Sequence, residues 1–154
     1  MPKTSDIMSW LAQPELFTLR ENGEEIRAIP TRWLSLYEQM SGLHILHAGV
    51  GMGSMRGKDL IPAQSLALST HLNRTAFATY EVDQTQAMSY LRKEVVMLPH
   101  STPRGFVLLT YHGIGLGFVK NIGSRANNLY PQEWKIRSSY QPEGLCEIMQ
   151  FNPS

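Results

Sequence analysis

The sequence predicts an α+β fold in which short, turn-linked strands curl into a sheet or small barrel with helices packed among them. Three observations carry that expectation. The closing third alternates short apolar runs with glycine turns, the earlier part holds several capped segments of helical spacing, and strand and helix signals alternate without any internal repeat. With 154 residues, 42% hydrophobic and 18% charged, the chain can fill one ordinary core. Disorder, collagen and coiled coil are excluded by the same composition.

The elements follow in order. Ser5 or Asp6 can cap a short helix through Ala12, stopped near Pro14. Strands over Leu16 to Arg20 and Glu25 to Ile29 flank Asn22-Gly23, two residues that tolerate positive φ and so favour a hairpin. Thr31 caps a helix to about Met40, ended by Gly42. The run Leu43 to Ala48 reads as a strand entering a glycine-rich turn. A helix over about Pro62 to Leu72, a strand over Phe77 to Val82 and a helix capped by Asp83 to about Lys93 come next. Strands over Gly105 to Tyr111 and Gly117 to Asn121 flank a turn at His112-Gly113, and a short strand is expected around Trp134 to Ile136. The residues after Pro142 read as a tail.

No apolar stretch approaches the roughly 20 residues that span a bilayer, and Met1 to Asp6 lacks the apolar segment of a signal peptide. A soluble, cytoplasmic protein is expected. The single cysteine, Cys146, permits no internal disulfide and no all-cysteine metal site. Its position near the chain end makes it dispensable, so Cys146→Ser should leave fold and binding nearly unchanged.

Two glycine-rich stretches invite a nucleotide reading. His47-Ala48-Gly49-Val50-Gly51-Met52-Gly53 follows an expected strand, but no helix opens after it and position 73 is Asn where an acidic ribose ligand would be needed. A bulged hairpin explains it better. Gly113 to Gly117 reads as a hairpin crossover. His44 and His47, three apart on a strand, point to opposite faces, and His71, His100 and His112 are dispersed, so no metal site is expected. Neither a cofactor site nor a catalytic constellation is expected in this chain.

The net charge of +1 conceals an asymmetry. Between Gln84 and Pro142 seven bases (Arg92, Lys93, Arg104, Lys120, Arg125, Lys135, Arg137) meet two acids (Glu94, Glu133), a net +5, whereas the flanking segments each carry −2. Such a segment suits a polyanionic partner, since phosphate neutralisation supplies most non-specific affinity for nucleic acids. From Gly115 to Arg137 bases recur beside amides and aromatics, chemistry suited to phosphates, 2′-hydroxyls and stacked bases. The expected RNA-binding residues are Lys120, Asn121, Arg125, Asn128, Lys135 and Arg137, with Arg92 and Lys93. A purely structural alternative places Tyr130 and Trp134 in the core and has Asn127 and Asn128 bond nearby loop backbone.

In order, Gly49-Val50-Gly51-Met52-Gly53 with Lys58, Pro62 with Leu66-Ala67-Leu68, Ala87 with Tyr90-Leu91-Arg92, Gly105 with Val107-Leu108, Gly117-Phe118-Val119-Lys120 and Asn128-Leu129-Tyr130-Pro131 resemble the PUA-like C-terminal domain of RsmF-like, Sun-family rRNA cytosine-5 methyltransferases. Gln64 and Leu129 depart from the histidine expected there in many members. The resemblance implies a PUA-like pseudo-barrel of short, mostly antiparallel strands with packed helices, extending over residues 43–142. It also implies a helical lead-in over 1–42 joining to a catalytic domain, and a tail over 143–154. Catalysis in that family uses S-adenosylmethionine and two cysteines, which one cysteine cannot supply. The chain then reads as an accessory domain that presents structured rRNA to a covalently linked or associated methyltransferase domain. A small methyltransferase in its own right and a protein-interaction or structural domain are the competing classes.

Overall fold

The computed structural model describes residues 4–140, which form an α+β fold of two four-stranded sheets and a few short helices. The first sheet runs β1 (Phe17–Asn22), β2 (Glu25–Pro30), β3 (Val50–Arg56) and β4 (Asp59–Pro62), each antiparallel to its neighbour. The second runs β5 (Ala78–Glu81), β6 (Gly105–Tyr111), β7 (Ile114–Asn121) and β8 (Ala126–Asn128), antiparallel except for the parallel β5/β6 pair. The helices are α1 (Thr4–Met8), α2 (Leu34–Gln39), α3 (Gln64–Ala67) and α4 (Gln84–Leu91). Parallel neighbours need a crossover, and α4 supplies it for β5 and β6. Asp83 starts α4 with a full capping box, its carboxylate accepting from Gln86 N while the Gln86 side chain accepts from Asp83 N. None of the described helices is long and apolar enough to cross a membrane.

The β1/β2 and β6/β7 hairpins form where the turn residues place them. His112 and Gly113 both hold positive φ (49° and 73°), as a two-residue turn matched to strand twist requires. The glycine-rich run at 49–53 is the bulged strand expected of it: β3 pairs with β2 through a register shift at Ile26/Arg27. Gly51 is required by space, since a Cβ there would lie 2.6 Å from Ser65 Oγ.

Three sequence expectations are corrected. Residues 43–48 form no strand, because β2 is already flanked by β1 and β3 and offers no edge to pair with. The helix expected over 62–72 shrinks to the four residues of α3: Pro62 is drawn into β4 by pairing with Gly53, and Leu72 is held by a bridge to Leu11. The strand expected near Trp134 is a 3-10 turn at Gln132–Trp134, after which Ile136 N donates to the Leu91 carbonyl at 3.0 Å.

Two apolar clusters sandwich the second sheet. Ile7, Leu11, Ile26, Ala28, Met52, Leu66, Leu108 and Phe118 join α1, the first sheet and α3 to one face. Val82, Ala87, Tyr90, Val107, Leu109, Val119 and Ala126 join α4 to the other. Alternation along β6 sends Leu108 to one cluster and Val107 and Leu109 to the other, which is why this strand is an unbroken apolar run. The segments on either side of 42/43 are in contact. β2 and β3 pair across it, and residues from both sides fill the first cluster.

Tyr90 fastens the centre. It is fully buried, and its hydroxyl lies 3.1 Å from Gln64 Oε1 and 3.2 Å from the Phe118 carbonyl, sharing its proton between them. Gln64 Nε2 donates to the Leu116 carbonyl at 2.6 Å, so α3, α4 and β7 meet at one polar knot. Burial pushes the Tyr90 phenol far above its ordinary range. Above about pH 10 an unfolded tyrosine ionises while folded Tyr90 keeps its proton, so unfolding releases a proton and stability falls as pH rises. Denaturant melts between pH 9 and 11 should show this decline, and Tyr90→Phe should flatten it. An equally steep decline in that variant would refute the assignment.

Candidate nucleic-acid interface

The expected site residues divide among four environments. Arg92, Lys135 and Arg137 line one open groove of about 460 Å³ with Glu94, Gln132 and Ser138. Arg92 is anchored there, donating from Nε to the Ser138 carbonyl at 2.9 Å and from Nη2 to the Tyr140 carbonyl at 2.7 Å. Those bonds hold the strand-like stretch 135–140 alongside the end of α4. Lys135 and Arg137 are exposed and, among the described residues, their side chains make no hydrogen bond or ion pair. They are the cations of this groove available to a ligand.

Asn121 and Arg125 border a second, smaller cavity of about 230 Å³. Asn121 is buried at 8% exposure, and all three of its bonds go to the fold: Nδ2 donates to the Thr102 and Pro103 carbonyls, and Oδ1 accepts from Gly123 N. Asn121 therefore positions the loops that border this cavity. Arg125 is exposed, and its side chain makes no hydrogen bond or ion pair among the described residues.

Asn128 and Lys93 close the C-terminus of α4. Lys93 takes positive φ (58°), Glu94 N reaches back to the Ser89 carbonyl and Lys93 N to that of Tyr90, the paired bonds of a Schellman end. Asn128 Nδ2 donates to the Tyr90 and Glu94 carbonyls, both at 2.9 Å, and its Oδ1 accepts from Tyr130 N. The Lys93 ammonium bonds the Asn128 and Tyr130 carbonyls. Asn128 and Lys93, both expected at the RNA, here cap the end of α4 with their side chains. Asn128→Ala should lower stability by about 1–3 kcal/mol, the cost of orphaning such partly buried groups, while leaving RNA affinity of the folded protein unchanged. Lost affinity with unchanged melting would return Asn128 to the interface.

Lys120 stands apart from both basins. It is paired with Asp59 at 2.8 Å, and its ammonium lies 5.4 Å from the Phe106 ring centroid. The hydrogen bond from Lys120, then its charge, holds the Asp59 carboxyl below its usual range. This pair links β4 to β7, one sheet to the other.

Two residues of the basic region escaped the sequence reading. Arg104 and His100 line the same cavity as Arg125, and Arg104 is likewise exposed without an ionic or hydrogen-bonded partner among the described residues. Only the charge count pointed to Arg104, and nothing in the spacing of 100, 104 and 125 could bring them together. Trp134, weighed as a core residue, is 51% exposed, whereas Tyr130 does pack edge-on against Tyr90, with centroids 5.3 Å apart. Cys146 and Lys3 lie outside the described residues. Among the described residues no three His, Cys, Asp or Glu side chains gather where they could hold one metal ion.

The arrangement defines a small α+β module in which loops and turns around the second sheet carry unpaired bases on a groove and a cavity. Residues 77–136 match the profile of the PUA domain of methyltransferase RsmF, a span that takes in all four strands of the second sheet together with α4. The chain is 38% identical over 55 residues to ribosomal RNA small subunit methyltransferase F of Shewanella sediminis, covering 35% of this chain and 12% of that protein. It is 37% identical over 54 residues to the protein of the same name from Shewanella woodyi, covering 34% and 11%. Residues 77–136 are thus similar to the PUA domain of RsmF-like methyltransferases, and the aligned stretch spans about an eighth or less of the curated relatives it matches.

Proposed function

We propose that this chain is the RNA-binding accessory domain of an S-adenosylmethionine-dependent rRNA cytosine-5 methyltransferase, holding structured rRNA for a catalytic domain that these residues do not supply. One observation carries the reading. Within the RsmF-like part, Arg104, Arg125 and Lys135, with Arg137 just beyond it, keep their charges unpaired around a groove and a cavity. The basic side chains Arg20, Arg27 and Lys120 are instead ion-paired with Glu38, Glu25 and Asp59. Bases left unpaired on concave surfaces suit phosphates, which position a nucleic acid without reading its sequence. A PUA-like domain in proteins named as rRNA methyltransferases gives that polyanion its class. The cofactor belongs to the catalytic domain, and the expected setting is the cytoplasm.

A protein-interaction reading has its own support, in the exposed Trp33 at the start of α2, Leu36 within it, and Leu43 and Leu46 between α2 and β3. Salt separates the two. Titrating a fluorescent small-subunit rRNA hairpin with the 154-residue chain should show binding that weakens log-linearly with salt, and calorimetry with S-adenosylmethionine alone should show no stoichiometric heat. RNA binding absent even at low salt would favour the protein-interaction reading.

A further inference from the structure

Resting on the RNA-binding reading, we infer that the cavity bordered by His100, Arg104 and Arg125 is a phosphate-binding site that grips one phosphate group of the bound RNA. The lining contains two guanidiniums, an imidazole and the hydroxyls of Thr102 and Ser124, and no carboxylate. Two arginines line one small cavity with no acidic residue beside them, so an entering anion would meet positive charge with no competing carboxylate in the lining. A guanidinium fork matches two oxygens of a phosphate, so a pair of them with flanking hydroxyls provides donors on several sides of a tetrahedral oxyanion. At about 230 Å³ the cavity has room for a phosphate and several waters.

The fold prepares this geometry before any ligand arrives. Asn121 binds the Thr102 and Pro103 carbonyls with one end and Gly123 N with the other, clamping the loop before β6 to the turn between β7 and β8. Ile122 N donates to the Arg125 carbonyl at 3.0 Å, closing that turn. The Arg104 guanidinium lies against Gly123, where a Cβ would sit 2.8 Å from Nε and 2.9 Å from Nη2. Gly123 also holds φ at +95°, a conformation that favours glycine. Arginine positions fixed in advance lose less freedom when they bind.

Either an internal phosphodiester or a terminal monoester presents this chemistry, and paired experiments distinguish them. In the first, inorganic phosphate is titrated into the ¹⁵N-labelled chain. The Gly123 amide and the Arg104 and Arg125 side-chain signals should shift saturably, and the shifts should vanish in Arg104→Ala. In the second, rRNA hairpins with a 5′-phosphate or a 5′-hydroxyl are bound to wild type, Arg104→Ala, Arg104→Lys, Arg125→Ala and the double alanine variant. Each alanine change should weaken binding about tenfold, and the double variant should lose much less than the product, because both arginines hold one group. Arg104→Lys should recover only part of the loss, since the charge returns without the fork. A preference for the 5′-phosphate assigns the monoester, and equal affinity assigns the diester.

Unmoved Gly123 and arginine signals, or fully multiplicative losses, would overturn the cavity while the general RNA reading stands. Saturable phosphate shifts in a chain that binds neither hairpin would overturn the assignment to RNA, and the RNA reading with it.

Discussion

Gly117→Ala should destabilise the protein by about 3 kcal/mol, lowering the melting temperature by roughly 10 °C. The effect comes from what surrounds the position. A Cβ on Gly117 would drive into the Tyr90 hydroxyl, with Gln64 Oε1 and Tyr90 Cζ each only 2.6 Å away. None of these can retreat cheaply. Tyr90 is fully buried between α4 and the sheet, its hydroxyl held by Gln64 and Phe118, and Gln64 is fastened to Leu116 on the same strand. Relief therefore requires breaking the polar knot or spreading α4 from β7, and both disturb the second cluster. Gly113→Ala is the comparison, since nothing lies within 4 Å of a Cβ there and only its positive φ of 73° is strained. It should cost about 1 kcal/mol. Thermal melts of the two variants side by side check the claim, and equal small losses would show that the contact at Gly117 is not what constrains it.

The second large effect concerns binding. Removing Arg125, Lys135 and Arg137 together as alanines should weaken association with structured RNA about a hundredfold near physiological salt, taking roughly 1 kcal/mol for each exposed contact. The salt-dependence slope should fall by about three, one condensed counterion for each phosphate released. Folding should hardly change, because all three are exposed and none of their side chains is tied into the described structure. Lys120→Ala should do less to the slope than any of these, its ammonium already satisfied by Asp59.

Much of this architecture could be read from residues near one another in the chain. The hairpin at Gly23, the Asp83 capping box and the β6/β7 turn at His112-Gly113 rest on local backbone chemistry, and the structure places them within a residue or two of expectation. The misreadings arose where a distant partner decides. Residues 43–48 have strand composition but pair with no strand, β2 being already flanked by β1 and β3, and Pro62 belongs to a strand because Gly53 lies opposite. The second sheet was legible as strands, but not the parallel place of β5 beside β6 nor the short β8.

The candidate site shows the same limit more sharply. Counting charge located the basic segment, and composition could not say which polar side chains were already engaged. Asn121, Asn128, Arg92 and Lys93 resemble ligand-binding residues in sequence, yet their donors hold backbone carbonyls 17 or more residues away. Arg104 carries no motif, and became a candidate only when the loop before β6 was found clamped against the turn at Gly123.

The measurement that bears most directly on the RNA-binding claim sets two triple variants against wild type on one rRNA hairpin across a salt series. Arg125→Ala/Lys135→Ala/Arg137→Ala removes three charges from the second-sheet surfaces, and Arg20→Ala/Arg27→Ala/Arg56→Ala removes three from the first sheet. If RNA lies on the groove and cavity, the first variant loses about three units of slope and the second keeps a slope close to that of wild type. Equal losses from both would mean that net charge alone draws the RNA, and a larger loss from the first-sheet variant would place the interface on the other sheet.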